Sequence, residues 1–96
     1  MIKVVKQDNI ITISGHANSA EYGKDIVCAS VSSIVYTTIN ALKKIKEDSL
    51  EVEDNSKMTI KILVEDEITN LLIENMVELL KQIEEDYPKN LNVKES

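Results

Sequence analysis

At 96 residues, 43% hydrophobic and 29% charged, the chain suits one small globular domain and leaves no room for a second core. Its 11 Lys and Arg against 17 Asp and Glu give a net charge of −6, too little cationic surface to grip phosphate backbones, so no direct nucleic-acid partner is expected. The one Cys excludes an internal disulfide framework and points to a reducing, cytoplasmic compartment, and no continuous apolar run has the length of a signal peptide core or a membrane span, so no membrane partner is expected.

Residues 2 to 6 (IKVVK) and 10 to 14 (IITIS) are β-branched runs separated by Gln7, Asp8 and Asn9, which reads as a β-hairpin. Residues 15 to 24 (GHANSAEYGK) hold both glycines of the chain and no periodicity, which reads as a loop. From Asp25 to about Glu47, Val27, Val31, Ile34, Val35, Leu42 and Ile45 recur close to a 3.6-residue period, and Lys43, Lys44 and Lys46 close the segment. This predicts a helix with cations at the negative end of its dipole. A weak strand at 50 to 53, a turn at 54 to 56 and a stronger strand at 58 to 65 make a second hairpin. Ile68, Leu71, Leu72, Met76, Leu79, Leu80 and Ile83 then mark an amphipathic helix over about 66 to 86, stopped by Tyr87 and Pro88. Its glutamates, Glu84 among them, read as a solvated face, and NLNV near the end offers a short edge strand.

The expected class is α+β, in the order ββαββα, with a mixed or antiparallel sheet, two packed helices and that short C-terminal edge strand. Aromatics make up only 3% of the chain, so the core is aliphatic. Folding at this size buries only about two-thirds of the unfolded surface, and homo-oligomerisation is one way to supplement it.

Residues 14 to 32, SGHANSAEYGKDIVCASVS, contain the sole His, the sole Cys and both Gly residues. His16 follows the second predicted strand, and Cys28 falls in the first turn of the first helix if Asp25 is its N-cap. A thiol is mostly protonated at neutral pH and its thiolate is the nucleophile, so something must take the proton and stabilise the anion. An imidazole within reach does both, and free N–H groups at a helix start add to the stabilisation and can receive an oxyanion. One reading is therefore a Cys28/His16 dyad, with His16 as general base and then acid. The other is a buried, inert Cys and a His that satisfies a turn.

Asp25 reads either as the helix N-cap or as a carboxylate that orients His16. Ser32 lies one turn after Cys28, where its hydroxyl either supports the thiol or bonds back to the i−4 carbonyl. Gly15 and Gly23 permit tight backbone in the loop. One His and one Cys are too few for a structural zinc, the carboxylates lack calcium-loop spacing, and no phosphate loop is present, so neither metal nor cofactor is expected.

Gly15-His16-Ala17, then Gly23, Asp25, Val27, Cys28 and Ala29, then Ser32, resemble the motif of the ribosomal-processing cysteine protease family Prp. Length and element order match as well, so the resemblance spans the chain. It implies a single cysteine protease domain over residues 1 to 96, acting by a thioester acyl-enzyme on Cys28 with His16 as its partner, and supporting roles for Gly15, Asp25 and Ser32. It also implies a substrate loop of Ala17, Asn18, Ser19, Ala20, Glu21, Tyr22, Gly23 and Lys24, and a homodimer. The implied substrate is the precursor of large-subunit ribosomal protein twenty-seven, cut after an aromatic residue to remove an N-terminal extension. Two competing readings are a non-catalytic acidic module for ribosome assembly or protein interaction, and a redox-responsive thiol.

Overall fold

The computed structural model describes residues 1–15 and 22–96, with the backbone alone at 22–25. Strands β1 (Ile2–Gln7) and β2 (Ile10–Ser14) form the expected hairpin, closed by the Gln7–Ile10 pair. Asp8 in its turn has φ 54°, a left-handed conformation that Asp tolerates better than most residues. Helix α1 (Tyr22–Ile45) and a 3₁₀ turn (Glu47–Ser49) lead to a second hairpin of β3 (Leu50–Asp54) and β4 (Met58–Ile62). Helix α2 (Glu67–Asp86) then returns the chain to β5 (Leu91–Glu95).

The sheet runs β3-β4-β2-β1-β5. Every neighbouring pair is antiparallel except β1 and β5, which are parallel, with Ile2 opposite Leu91. The sheet is thus mixed, and the short C-terminal edge strand is present. The strand period of two places Ile2, Val4, Ile11, Leu50, Met58, Ile60, Ile62 and Leu91 on one face, all buried. Both helices pack on that face and share one aliphatic core with it. The other face leaves Lys3, Val5, Ile10, Glu51, Glu53, Lys61 and Lys94 exposed.

Helix α1 buries Val27, Val31, Val35, Ile39 and Leu42 at helical spacing, while Ile45, expected in the core, is 57% exposed at the helix end. By length and mean hydropathy (1.3) Ile26–Ile45 would suffice to cross a membrane. Its buried residues lie in one stripe against the sheet and its outer face carries exposed Ser33, Thr37 and Asn40, the pattern of a core helix. The helix starts three residues earlier than the sequence suggests. Tyr22, Gly23 and Lys24, expected in the loop, form its first turn. Gly23 misleads because a glycine near a helix start costs little once the apolar stripe downstream is packed.

Helix α2 is rotated from its expected face. Thr69, Ile73, Met76, Val77 and Leu80 are buried, whereas Ile68 and Leu71 are 52% and 64% exposed and Leu79 is exposed as well. Apolar residues cover more than half of this helix's circumference, and the sheet takes the Ile73 side. Glu84 also departs from the solvated reading, because its Oε2 accepts the Val93 backbone N–H at 2.8 Å. It thereby satisfies an outer-edge donor of β5 that β1 cannot reach.

Asp66 caps α2, its Oδ1 accepting the Thr69 N–H at 2.8 Å. That hydrogen bond holds the carboxyl below its ordinary value. The cap's stabilisation is present above the unfolded carboxyl range, about pH 4, and is lost as pH falls through the lower folded value. Asp66→Ala is expected to lower Tm at pH 7, and the gap to wild type should close as pH drops into that window. Asp66→Asn keeps an acceptor that does not titrate, so its gap should be small at pH 7. Thermal melts of the three proteins from pH 7 to pH 2 check this, and a gap for Asp66→Ala that is independent of pH would count against it.

Candidate active site

Cys28 is the seventh residue of α1, between the buried Val27 and the exposed Ala29, and is itself half-buried. The expected place in the first turn is therefore corrected to the second. Six residues of helix, about 9 Å of axis at 1.5 Å each, separate it from the helix start. The free N–H groups of a helix belong to its first turn and the dipole fades within it, so the helix start is too distant to hold a thiolate on Cys28 directly. Asp25 is likewise the fourth helical residue and not the N-cap. Helix α1 has simply taken in the segment on which both expectations rested.

A cleft of about 150 Å³ opens beside Cys28. Its floor is Ile2, Ile13, Val31, Val35 and Met58, one wall is the α1 face of Cys28, Ser32 and Tyr36, and the other is the β3–β4 turn from Asp54 to Lys57. Ser14 and Gly15, where β2 ends, close the near end. Helical geometry explains the α1 wall: positions i, i+4 and i+8 stack along one line, so Cys28, Ser32 and Tyr36 face the same space. Strand register explains the other, since β2 pairs with β4 through Ile13 and Met58, and Met58 opposite Asp54 closes the turn.

Gly15 has φ +89°, and a Cβ built there would overlap the Met1 carbonyl oxygen and come within 3.3 Å of Ile2 Cα. The chain leaves β2 hard against the start of β1, and only glycine fits both the conformation and the space. Gly15, Cys28 and Ser32 of the expected site thus meet on one cleft. His16, Ala17, Asn18, Ser19, Ala20 and Glu21 lie outside the described residues, as does the Asp25 side chain. Tyr22, Gly23 and Lys24, assigned to the substrate loop in the sequence, are helical in backbone.

Two cleft features escape the sequence reading. Tyr36 was discoverable from its spacing of eight from Cys28, whereas the turn Asp54–Lys57 carries no local sign that it faces α1. The two touch: the Tyr36 hydroxyl donates to Asp54 Oδ2 at 2.9 Å. The bond to the carboxylate raises the phenol pKa above its ordinary value of 10.0, so Tyr36 stays protonated and able to donate at any physiological pH.

A model of the family described as cysteine protease Prp matches residues 1–92 of this chain. The chain belongs to the Prp family of cysteine proteases. Among Prp proteins, the ribosomal processing cysteine protease Prp of Bacillus subtilis (strain 168) is 36% identical over 100 residues, covering 84% of this chain and 80% of that protein. The Mycoplasma genitalium protein of the same name is 32% identical over 98 residues, covering 99% of this chain and 96% of that one. The crystal structure of the essential ribosomal processing protease Prp from S. aureus, in complex with a covalently linked product peptide, matches with a TM-score of 0.87 at 25% identity over the whole of both chains. That of SMU.848 from Streptococcus mutans matches with a TM-score of 0.83 at 26% identity, over 98% of this chain and 90% of that one. The mixed sheet with two helices on one face is therefore the Prp fold, and this member is a protease that works through cysteine chemistry.

Proposed function

We propose that this Prp protease removes the N-terminal extension from the precursor of large-subunit ribosomal protein twenty-seven during ribosome maturation in the cytoplasm. It is a single protease domain that works as a homodimer, with Cys28 as nucleophile and His16 as general base and acid. The observation that carries the reading is the shared cleft: half-buried Cys28 and Gly15, the residue joined to His16, line one space. The names of the relatives, ribosomal processing proteases, support the substrate class.

In this mechanism His16 takes the Cys28 thiol proton as Sγ attacks the carbonyl carbon of the scissile peptide. The tetrahedral intermediate collapses by breaking the C–N bond, and His16 gives its proton to the leaving amine. Water then attacks the thioester carbonyl and gives a proton to His16. The C–S bond breaks, the acid product leaves, and the proton returns to the thiolate. The apolar floor of the cleft, Ile2, Ile13, Val31, Val35 and Met58, offers a surface for the precursor's aromatic residue before the cut bond. Asp25 and Ser32 support the dyad from the same helix, and residues 17 to 24 contact the substrate.

Intact-mass spectrometry of the purified precursor tests the proposal, with wild-type protein and Cys28→Ala in parallel. Loss of one defined N-terminal peptide with wild type alone is the expected result. An unchanged precursor that nevertheless binds would favour the assembly-module reading, and cleavage by Cys28→Ala would remove Cys28 from the chemistry.

A further inference from the structure

The walls of the cleft are unequally supported. Helix α1 is anchored by five buried residues, but the β3–β4 turn belongs to a hairpin whose β3 is an edge strand, paired among the described residues with β4 alone. The base of the turn is set by the sheet, with Asp54 opposite Met58 and Met58 opposite Ile13, and the Asn55 N–H to Lys57 carbonyl bond at 3.1 Å shapes its tip. Among the described residues, the bond from Tyr36 to Asp54 is the hydrogen bond that ties this turn to α1. It spans the cleft two helical turns, about 12 Å of axis, from Cys28, and both partners line the cleft.

We propose that Tyr36 and Asp54 form a clasp that fixes the distance between the two walls and so decides which side chain the cleft accepts. Tyr36 is a positioning residue: it stands too far along α1 from Cys28 to join the bond-breaking steps, and it acts through the turn it holds. The inference rests on the reading that this cleft receives substrate. With the clasp made, the floor of Ile2, Ile13, Val31, Val35 and Met58 meets a side chain of fixed width. With it broken, the base of the turn stays paired in the sheet but the Tyr36 and Asp54 side chains are free to part, the fit to an aromatic ring loosens, and smaller or differently shaped side chains lose less by comparison.

The test is steady-state cleavage of two peptides spanning the precursor junction, one with its natural aromatic residue before the cut and one with Leu there. Wild type is compared with Tyr36→Phe, Asp54→Ala, Asp54→Asn and the double variant Tyr36→Phe/Asp54→Ala. All these changes are at exposed positions, and thermal melts confirm that each protein is folded. Either loss of the bond should raise KM for the aromatic peptide about three- to tenfold, as expected for one hydrogen bond, with kcat within about twofold and the aromatic-to-Leu preference narrowed. Asp54→Asn retains an acceptor oxygen and should stay near wild type. The double variant should be no worse than either single one, because the two residues share one interaction. Unchanged KM in Tyr36→Phe, additive losses in the double variant, or a fall in kcat in place of KM would each overturn the clasp. Ile13→Phe, which adds bulk from the floor, separates this failure from failure of the underlying reading. If it blocks cleavage while Tyr36→Phe does nothing, the cleft binds substrate without a clasp; if it too leaves KM unchanged, substrate binds elsewhere and both ideas fall.

Discussion

His16→Ala is expected to lower kcat about 10²- to 10⁴-fold on the precursor peptide, with little change in thermal stability. The magnitude is that of a lost general acid–base group. The imidazole serves four proton movements in the proposed cycle, and the helix start cannot replace it, because Cys28 sits in the second turn of α1. The residual rate of the variant should climb with pH as bulk solvent takes over thiol deprotonation, and added imidazole should recover part of it. Stopped-flow or fluorogenic-peptide assays between pH 6 and pH 9 give both readouts. A kcat within tenfold of wild type would assign the base to another residue.

Gly15→Ala should cost about 2–6 kcal/mol of folding stability and at least tenfold in kcat/KM. Part of the cost is holding a non-glycine residue at positive φ, about 1–3 kcal/mol. The rest is overlap with the Met1–Ile2 peptide, an overpacking cost of similar size. Because Gly15 lines the cleft and leads directly to His16, the backbone shift that relieves the overlap moves the residues proposed to be catalytic, and displacements near 1 Å can cost about a hundredfold in rate. Urea unfolding read alongside peptide cleavage measures both quantities. An Ala variant within 1 kcal/mol of wild type would show that the first strand yields easily, and the role assigned to Gly15 would go with it.

The elements of this protein are legible in its sequence because its signals are local. Alternating β-branched runs mark β1, β2 and β4, the Asp8–Asn9 turn marks the first hairpin, and Tyr87 with Pro88 stops α2. Reading fails where a choice depends on the partner surface. Helix α2 offers two apolar faces, Ile73 with Leu80 and Ile68 with Leu71, and only the assembled sheet decides which is covered. The start of α1 is obscured by Gly23, a local helix weakener overridden by packing further on. In the site, Cys28 and Gly15 stand out as unusual residues in one short segment. The turn from Asp54 to Lys57 does not, because it comes to face α1 only through the register of β2, β4 and β3.

The parallel pairing of β1 with β5 sends the two chain ends in opposite directions. Met1 abuts Gly15 at the near end of the cleft, whereas β5 runs alongside β1 until Glu95 lies opposite Lys6, about 13 Å further along at the strand rise. A purification handle fused ahead of Met1 therefore emerges at the near end of the cleft proposed to receive substrate. There it is expected to compete for that cleft. A handle placed after Ser96 emerges at the far edge of the sheet, which makes the C-terminus the proper point of attachment for kinetic work and for immobilising the protease on a surface.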